Sequence, residues 1–163
     1  MSVSRFLAAM LVAGLLQFSF FHRFRVAGAG PDCLLIVCVY VGLNAGASWA
    51  LVGPFSCGLL KDVLGAGRFG LHGLLFLCVG YVLNRHCRHL AHGGAGVRTV
   101  LVGASALVCS GAAICWELAS RRGGGAAPLL VQLPVGAVYT MLLSLPAAVI
   151  LKKAKVCKAK YDF

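Results

Sequence analysis

Acidic residues are nearly missing from this chain. Among 163 residues there are four, Asp32, Asp62, Glu117 and Asp162, and all charged residues together make up 12%. A soluble globular domain typically carries about 25%. Half that charge leaves too little polar surface to keep a folded monomer in water. The four acids are scattered across separate segments, so no general acid/base pair assembles from sequence neighbours. No G-x-S-x-G, HExxH or phosphate-binding glycine loop is present. The reading is that the chain is not an enzyme. The eight cysteines include no C-x-x-C pair, which removes the usual zinc-ribbon and redox motifs. Six of them (Cys33, Cys38, Cys57, Cys78, Cys109 and Cys115) lie in apolar segments, where cysteine acts as a small hydrophobe.

What is present is hydrophobic sequence. It makes up 60% of the chain, and the mean hydropathy is +0.91. Charge is absent from Phe6 to Phe21, from Thr99 to Trp116 and from Pro128 to Leu151. A helix needs about 17–25 apolar residues to cross a ~30 Å hydrocarbon core. The expected fold is therefore all-α, a polytopic membrane helix bundle. About six transmembrane segments lie near residues 5–21, 32–43, 49–64, 69–83, 99–118 and 128–151, in a single membrane domain over residues 1–151. The second is short for a crossing. With the third, which carries Gly53, Pro54 and Gly58, it reads either as a re-entrant hairpin or as two tilted, broken helices. The first apolar run is longer than the usual signal-peptide core and is followed by aromatic and basic residues, so it reads as a retained helix.

The net charge of +11 does not point to nucleic acid, because the basic residues sit at the ends of apolar segments rather than on one face. That is the pattern of membrane orientation. With the N-terminus inside and six crossings, Arg5, Arg85, Arg88, Arg98 and the tail lysines (Lys152, Lys153, Lys155, Lys158 and Lys160) fall on the cytoplasmic side. Arg23, Arg25, Arg68, Arg121 and Arg122 fall outside. The balance predicts cytoplasmic N- and C-termini, with residues 152–163 as a basic cytoplasmic tail and lipid anchor. Small residues spaced four apart, Ala9/Ala13 among them, suit close helix packing in lipid.

Asp62 is the notable residue. A carboxylate within an apolar helix end is costly in a bilayer and faces the bundle interior with a partner. Arg68 and His72 are the candidates. Two readings stand: an ion, proton or ligand contact, or a brace that accepts from backbone amides around Gly65–Gly70. Lys61 reads as snorkelling to the interface. His86, Cys87, His89 and His92 form no closed four-ligand zinc pattern and read as a basic membrane-adjacent loop, so neither a metal nor a cofactor is expected. Glu117 reads as pairing with Arg121 or Arg122.

Three stretches carry a family resemblance: Pro31-Asp32-Cys33-Leu34-Leu35-Ile36 with Tyr40; Gly58-Leu59-Leu60-Lys61-Asp62-Val63-Leu64-Gly65; and Gly70-Leu71-His72-Gly73-Leu74 running to Gly80-Tyr81. With this layout the sequence resembles the rod shape-determining protein MreD family. Lys61 stands where that pattern has an apolar residue. The resemblance implies a non-enzymatic scaffold in the bacterial inner membrane, part of the cell-elongation machinery that supports cell shape and peptidoglycan synthesis. Its implied partners are an MreC-like membrane protein and, through it, MreB, RodA and a penicillin-binding transpeptidase. Asp32, Gly58, Asp62, Gly65, Gly70, His72 and Tyr81 are its implied motif residues. The family also looks like the S-components of energy-coupling-factor vitamin transporters, which supplies an alternative function. Those subunits dock through an A-x-x-x-A pattern that Ala9/Ala13 matches. A proton or ion path through Asp62 is a third reading.

Overall fold

The computed structural model describes residues 3–20, 30–65, 70–87, 94–120 and 127–153, and those residues are helical apart from short caps and turns. The helices are α1 (Val3–Leu15, continued by a π-helical turn Leu16–Phe20), α2 (Cys33–Asn44), α3 (Ala47–Leu64), α4 (Leu71–His86), α5 (Gly94–Ser120) and α6 (Ala127–Lys153). They fall on the six apolar segments of the sequence. Among the described residues, only Gly96–Trp116 in α5 and Pro134–Leu151 in α6 are long and apolar enough to cross a membrane alone; Val3–Ser19 and Cys33–Asn44 are shorter apolar helices.

α2 is the centre of the bundle. Its sequence is apolar all round, with no polar face to turn outward, and a helix of that kind is buried. Leu34 to Val39, Val41, Gly42 and Leu43 are all buried, and each of the other five helices packs against α2. The outward surface is the reverse of a soluble protein's. Leu7, Leu11, Val12 and Leu15 on α1, Val52 and Phe55 on α3, Leu74 on α4, Val100, Leu107 and Val108 on α5, and Leu142, Val149 and Ile150 on α6 are all exposed. Apolar patches spread over every side of a bundle mark contact with lipid or partner rather than water.

Of the two readings of the second and third segments, the broken-helix one does not hold, since each forms one continuous helix. The two are antiparallel, and Pro54 lies inside α3 without ending it. Proline removes the donor that would serve the carbonyl four residues back, here Ala50. At that level α4 closes on α3: a Cβ on Gly80 would lie 2.6 Å from the Ala50 carbonyl oxygen. Tight packing of α4 supports the helix through the defect. Ala9 and Ala13 also face inward; Ala13 is buried and Ala9 packs against the core.

Candidate functional site

Two helices of the bundle, α2 and α4, start at the same end of it, where α3 finishes. The first amides of any helix lack intrahelical acceptors, and away from water each must find one. The chain solves this with two carboxylates, and both are held by one turn of α3.

Asp62 is 4% exposed and reaches across to the start of α4. Its Oδ2 accepts from the backbone N–H of Gly70 (2.8 Å) and of Gly73 (3.2 Å). Oδ1 accepts from the His72 amide at 3.3 Å, and His72 Nδ1 donates to it at 2.7 Å. The side chain is thus a helix cap supplied by a different helix, and its negative charge lies at the positive end of the α4 dipole. Gly70, which precedes α4, has φ of 99°, a left-handed conformation that glycine adopts without penalty. The turn that aims these amides at Asp62 therefore depends on it.

Asp32 does the same for α2. Its Oδ1 accepts from the Leu35 amide at 3.3 Å, while Oδ2 forms an ion pair with Lys61. The neighbouring amides are held by other helices: Gln17 Oε1 accepts from Leu34 N–H (3.1 Å) and Thr140 Oγ1 from Asp32 N–H (3.1 Å). Thr140 donates its own proton back to the Gly136 carbonyl at 2.8 Å. Lys61 Nζ also stands 5.3 Å from the centre of the Phe76 ring, a cation–π arrangement.

The snorkelling reading of Lys61 is therefore replaced. As consecutive residues, Lys61 and Asp62 point in different directions from the helix, and that divergence is what lets one turn of α3 clasp α2 and α4 together. Asp62 meets, among the described residues, three backbone amides, as a brace would, and the His72 ring. Among the described residues no buried side-chain nitrogen or oxygen lacks a partner.

The remaining motif residues divide. Gly58 lies one turn before the clasp, packed on Gly73, and Gly65 caps α3 by donating to the Lys61 carbonyl at 2.8 Å. Tyr81 is not brought to the site; it is 52% exposed on the outer face of α4, about 15 Å along the helix from Leu71. Arg68, the other partner considered for Asp62, lies outside the described residues, as do Arg121, Arg122, Lys155, Lys158, Lys160, His89 and His92, and the Glu117 and Lys152 side chains. Lys153 is exposed at the end of α6.

At the opposite end, sequence reasoning missed Asn84. Its Nδ2 donates to the Gly42 and Ala45 carbonyls (3.1 and 3.3 Å), capping the last turn of α2 from α4. Gln17 and Thr140 were missed for the same reason: their partners lie 17 and 108 residues away, and no local pattern marks such a pairing.

The ion pair yields a prediction. Asp32→Asn or Lys61→Met alone leaves one charge without its partner, whereas the double change removes both and keeps the cap and the stem packing. Each single variant is expected to lower the melting temperature in detergent, and the double variant to regain most of the loss. The coupling expected in the cycle is about 1–3 kcal/mol. Additive single effects would show that the pair contributes nothing.

An apolar-surfaced helical bundle whose few buried charges cap helix ends is the design of a helical membrane protein. The family comparison makes this specific: the family model for rod shape-determining protein MreD matches residues 2–112, from α1 into α5. The chain belongs to the MreD family, and its role lies in rod shape determination. No curated protein and no solved structure matches it.

Proposed function

We propose that this protein is a non-enzymatic scaffold of the cell-elongation complex, crossing the cytoplasmic membrane with all six helices and holding both termini in the cytoplasm. It binds the transmembrane helix of an MreC-like protein and through it serves MreB, RodA and the transpeptidase. The observation that carries the reading is the family match over the α1–α4 body. It is supported by the way the charged residues of that body are used: Asp32, Lys61, Asp62 and His72 spend their hydrogen bonds on helix ends and on each other. Residues so engaged suit a rigid platform better than a reaction centre or an ion path. The transporter-subunit alternative needs a ligand cavity, and α2 fills the middle of the bundle.

The test is co-purification. The full chain, solubilised in mild detergent with its Asp62 clasp intact by melting temperature, is expected to retain an MreC-like protein containing its transmembrane helix. It is expected to lose it when that helix is exchanged for an unrelated one. Absence of association from a folded bundle would remove the scaffold reading.

A further inference from the structure

The two polar ends of the α1–α4 body are unusually close together for a protein that lives in a bilayer. α2 has 12 residues, and at about 1.5 Å per residue it is about 18 Å long. Asp32 closes one end, and Asn84 receives the carbonyls of the other. The neighbouring helices keep the same interval. On α1, exposed Arg5 and Ser19 enclose residues 6–18. On α3, Ser48 and Lys61 enclose residues 49–60, with exposed Val63 and Leu64 beyond. On α4, His72 and Asn84 enclose residues 73–83. Each interval is about 17–20 Å of helix. These ends are tied together, Gln17 to the start of α2, Asp32 to Lys61, and Asn84 to the end of α2, so the levels coincide across the body.

α5 and α6 differ. Their uncharged runs, residues 99–116 and Pro134–Leu151, are each about 27 Å long, close to the ~30 Å hydrocarbon core of a typical bilayer. The molecule therefore presents a near full-thickness flank on α5–α6 and a flank about 7–10 Å shorter on α1, α3 and α4. Tilting adjusts a helix that is too long; one that is too short draws the bilayer in or moves its polar ends outward. Lys61 is not free to move outward, because Asp32 holds it.

We propose that the α1–α4 flank is a lipid-interaction surface that binds locally thinned bilayer. The lipids against α1, α3 and α4 are compressed toward about 20 Å of hydrocarbon, while those against α5–α6 keep the bulk thickness. The partner is the acyl region of the membrane itself, and the thickness step runs around the bundle where α4 meets α5. This inference rests on the membrane-spanning part of the reading above and is independent of MreC binding.

The experiment reconstitutes the full chain in phosphatidylcholine vesicles of increasing monounsaturated chain length, from dimyristoleoyl through dioleoyl to dierucoyl. Flotation reports insertion, and the melting temperature of the inserted protein is followed across the series. The melting temperature is expected to be highest in the shortest chains and to fall with each lengthening. Arg85→Leu/His86→Leu, which extends the apolar run of α4, is expected to move the maximum to a longer lipid. Insertion with the maximum at dioleoyl or longer overturns the thinning while leaving the spanning intact. A flat profile, as a flank covered by a second copy of the chain would give, overturns it too. Failure to float with vesicles overturns both. The unaltered chain decides the matter if the variant does not fold.

Discussion

Asp62→Ala is expected to cost more stability than any other single change of a polar residue in this protein. The carboxylate accepts from three backbone amides, Gly70, His72 and Gly73, and from the His72 ring. Alanine leaves the start of α4 without that acceptor, at a buried Gly73 amide and partly buried Gly70 and His72 amides. Each stranded buried donor costs about 1–3 kcal/mol, and loss of one partner from a buried charged arrangement about 3–5 kcal/mol. The predicted outcome is a loss of about 3–5 kcal/mol, read as a melting temperature lowered by many degrees or as failure to recover monodisperse protein from detergent. Asp62→Asn should fare little better. An amide keeps the size but offers one accepting oxygen where the carboxylate has two, and turns its NH2 toward N–H donors. Asp62→Glu keeps the acceptors and is expected to retain folded protein. If Asp62→Asn melts with the parent, the clasp is not what holds α4.

Gly58 carries the second large effect, and here the cause is space alone. A Cβ on Gly58 would lie 2.6 Å from Gly73 Cα and 2.7 Å from Gly73 N, backbone atoms that no rotamer change can move. Gly58→Ala therefore forces α3 and α4 apart where the Asp62 hydrogen bonds are made, so one methyl group strains both the packing and the clasp. Overpacking of this kind costs about 1–3 kcal/mol, and the upper end is expected; Gly58→Val should prevent folding. The control is Gly46→Ala. Gly46 precedes α3 with φ of −68° and has nothing within 4 Å of an added Cβ, so its melting temperature should stay with the parent. Equal losses at both positions would show that glycine content, rather than the helix contact, sets the stability.

Much of this architecture is legible in the residues themselves. Apolar runs interrupted by Arg, Asn and Gly determine where helices begin and end, because a backbone in an apolar medium must satisfy its own hydrogen bonds and only helix does so locally. Asp62 stood out for a related reason: a carboxylate in such a run needs a partner, and His72, ten residues on, was within reach of a tight turn. Sequence alone also carried the motif that places the chain in the MreD family.

Only the tertiary structure decided which residues meet. Lys61 beside Asp62 reads as a loose surface lysine until α2 and α3 pack antiparallel and Asp32 arrives next to it. Asn84, Gln17 and Thr140 become caps because separate helices end at shared levels, and one-dimensional patterns do not record levels. Helix lengths follow the same rule. The second segment already reads as short for a crossing, and the structure shows what fixes its ends: α2 stops where its caps stand, about 18 Å apart. What the sequence by itself determined is that these residues form helices in an apolar solvent. Which helix is central, which helix ends are tied together and how thick the tied body is were set by side chains meeting across the bundle, since those contacts join residues that no local spacing relates.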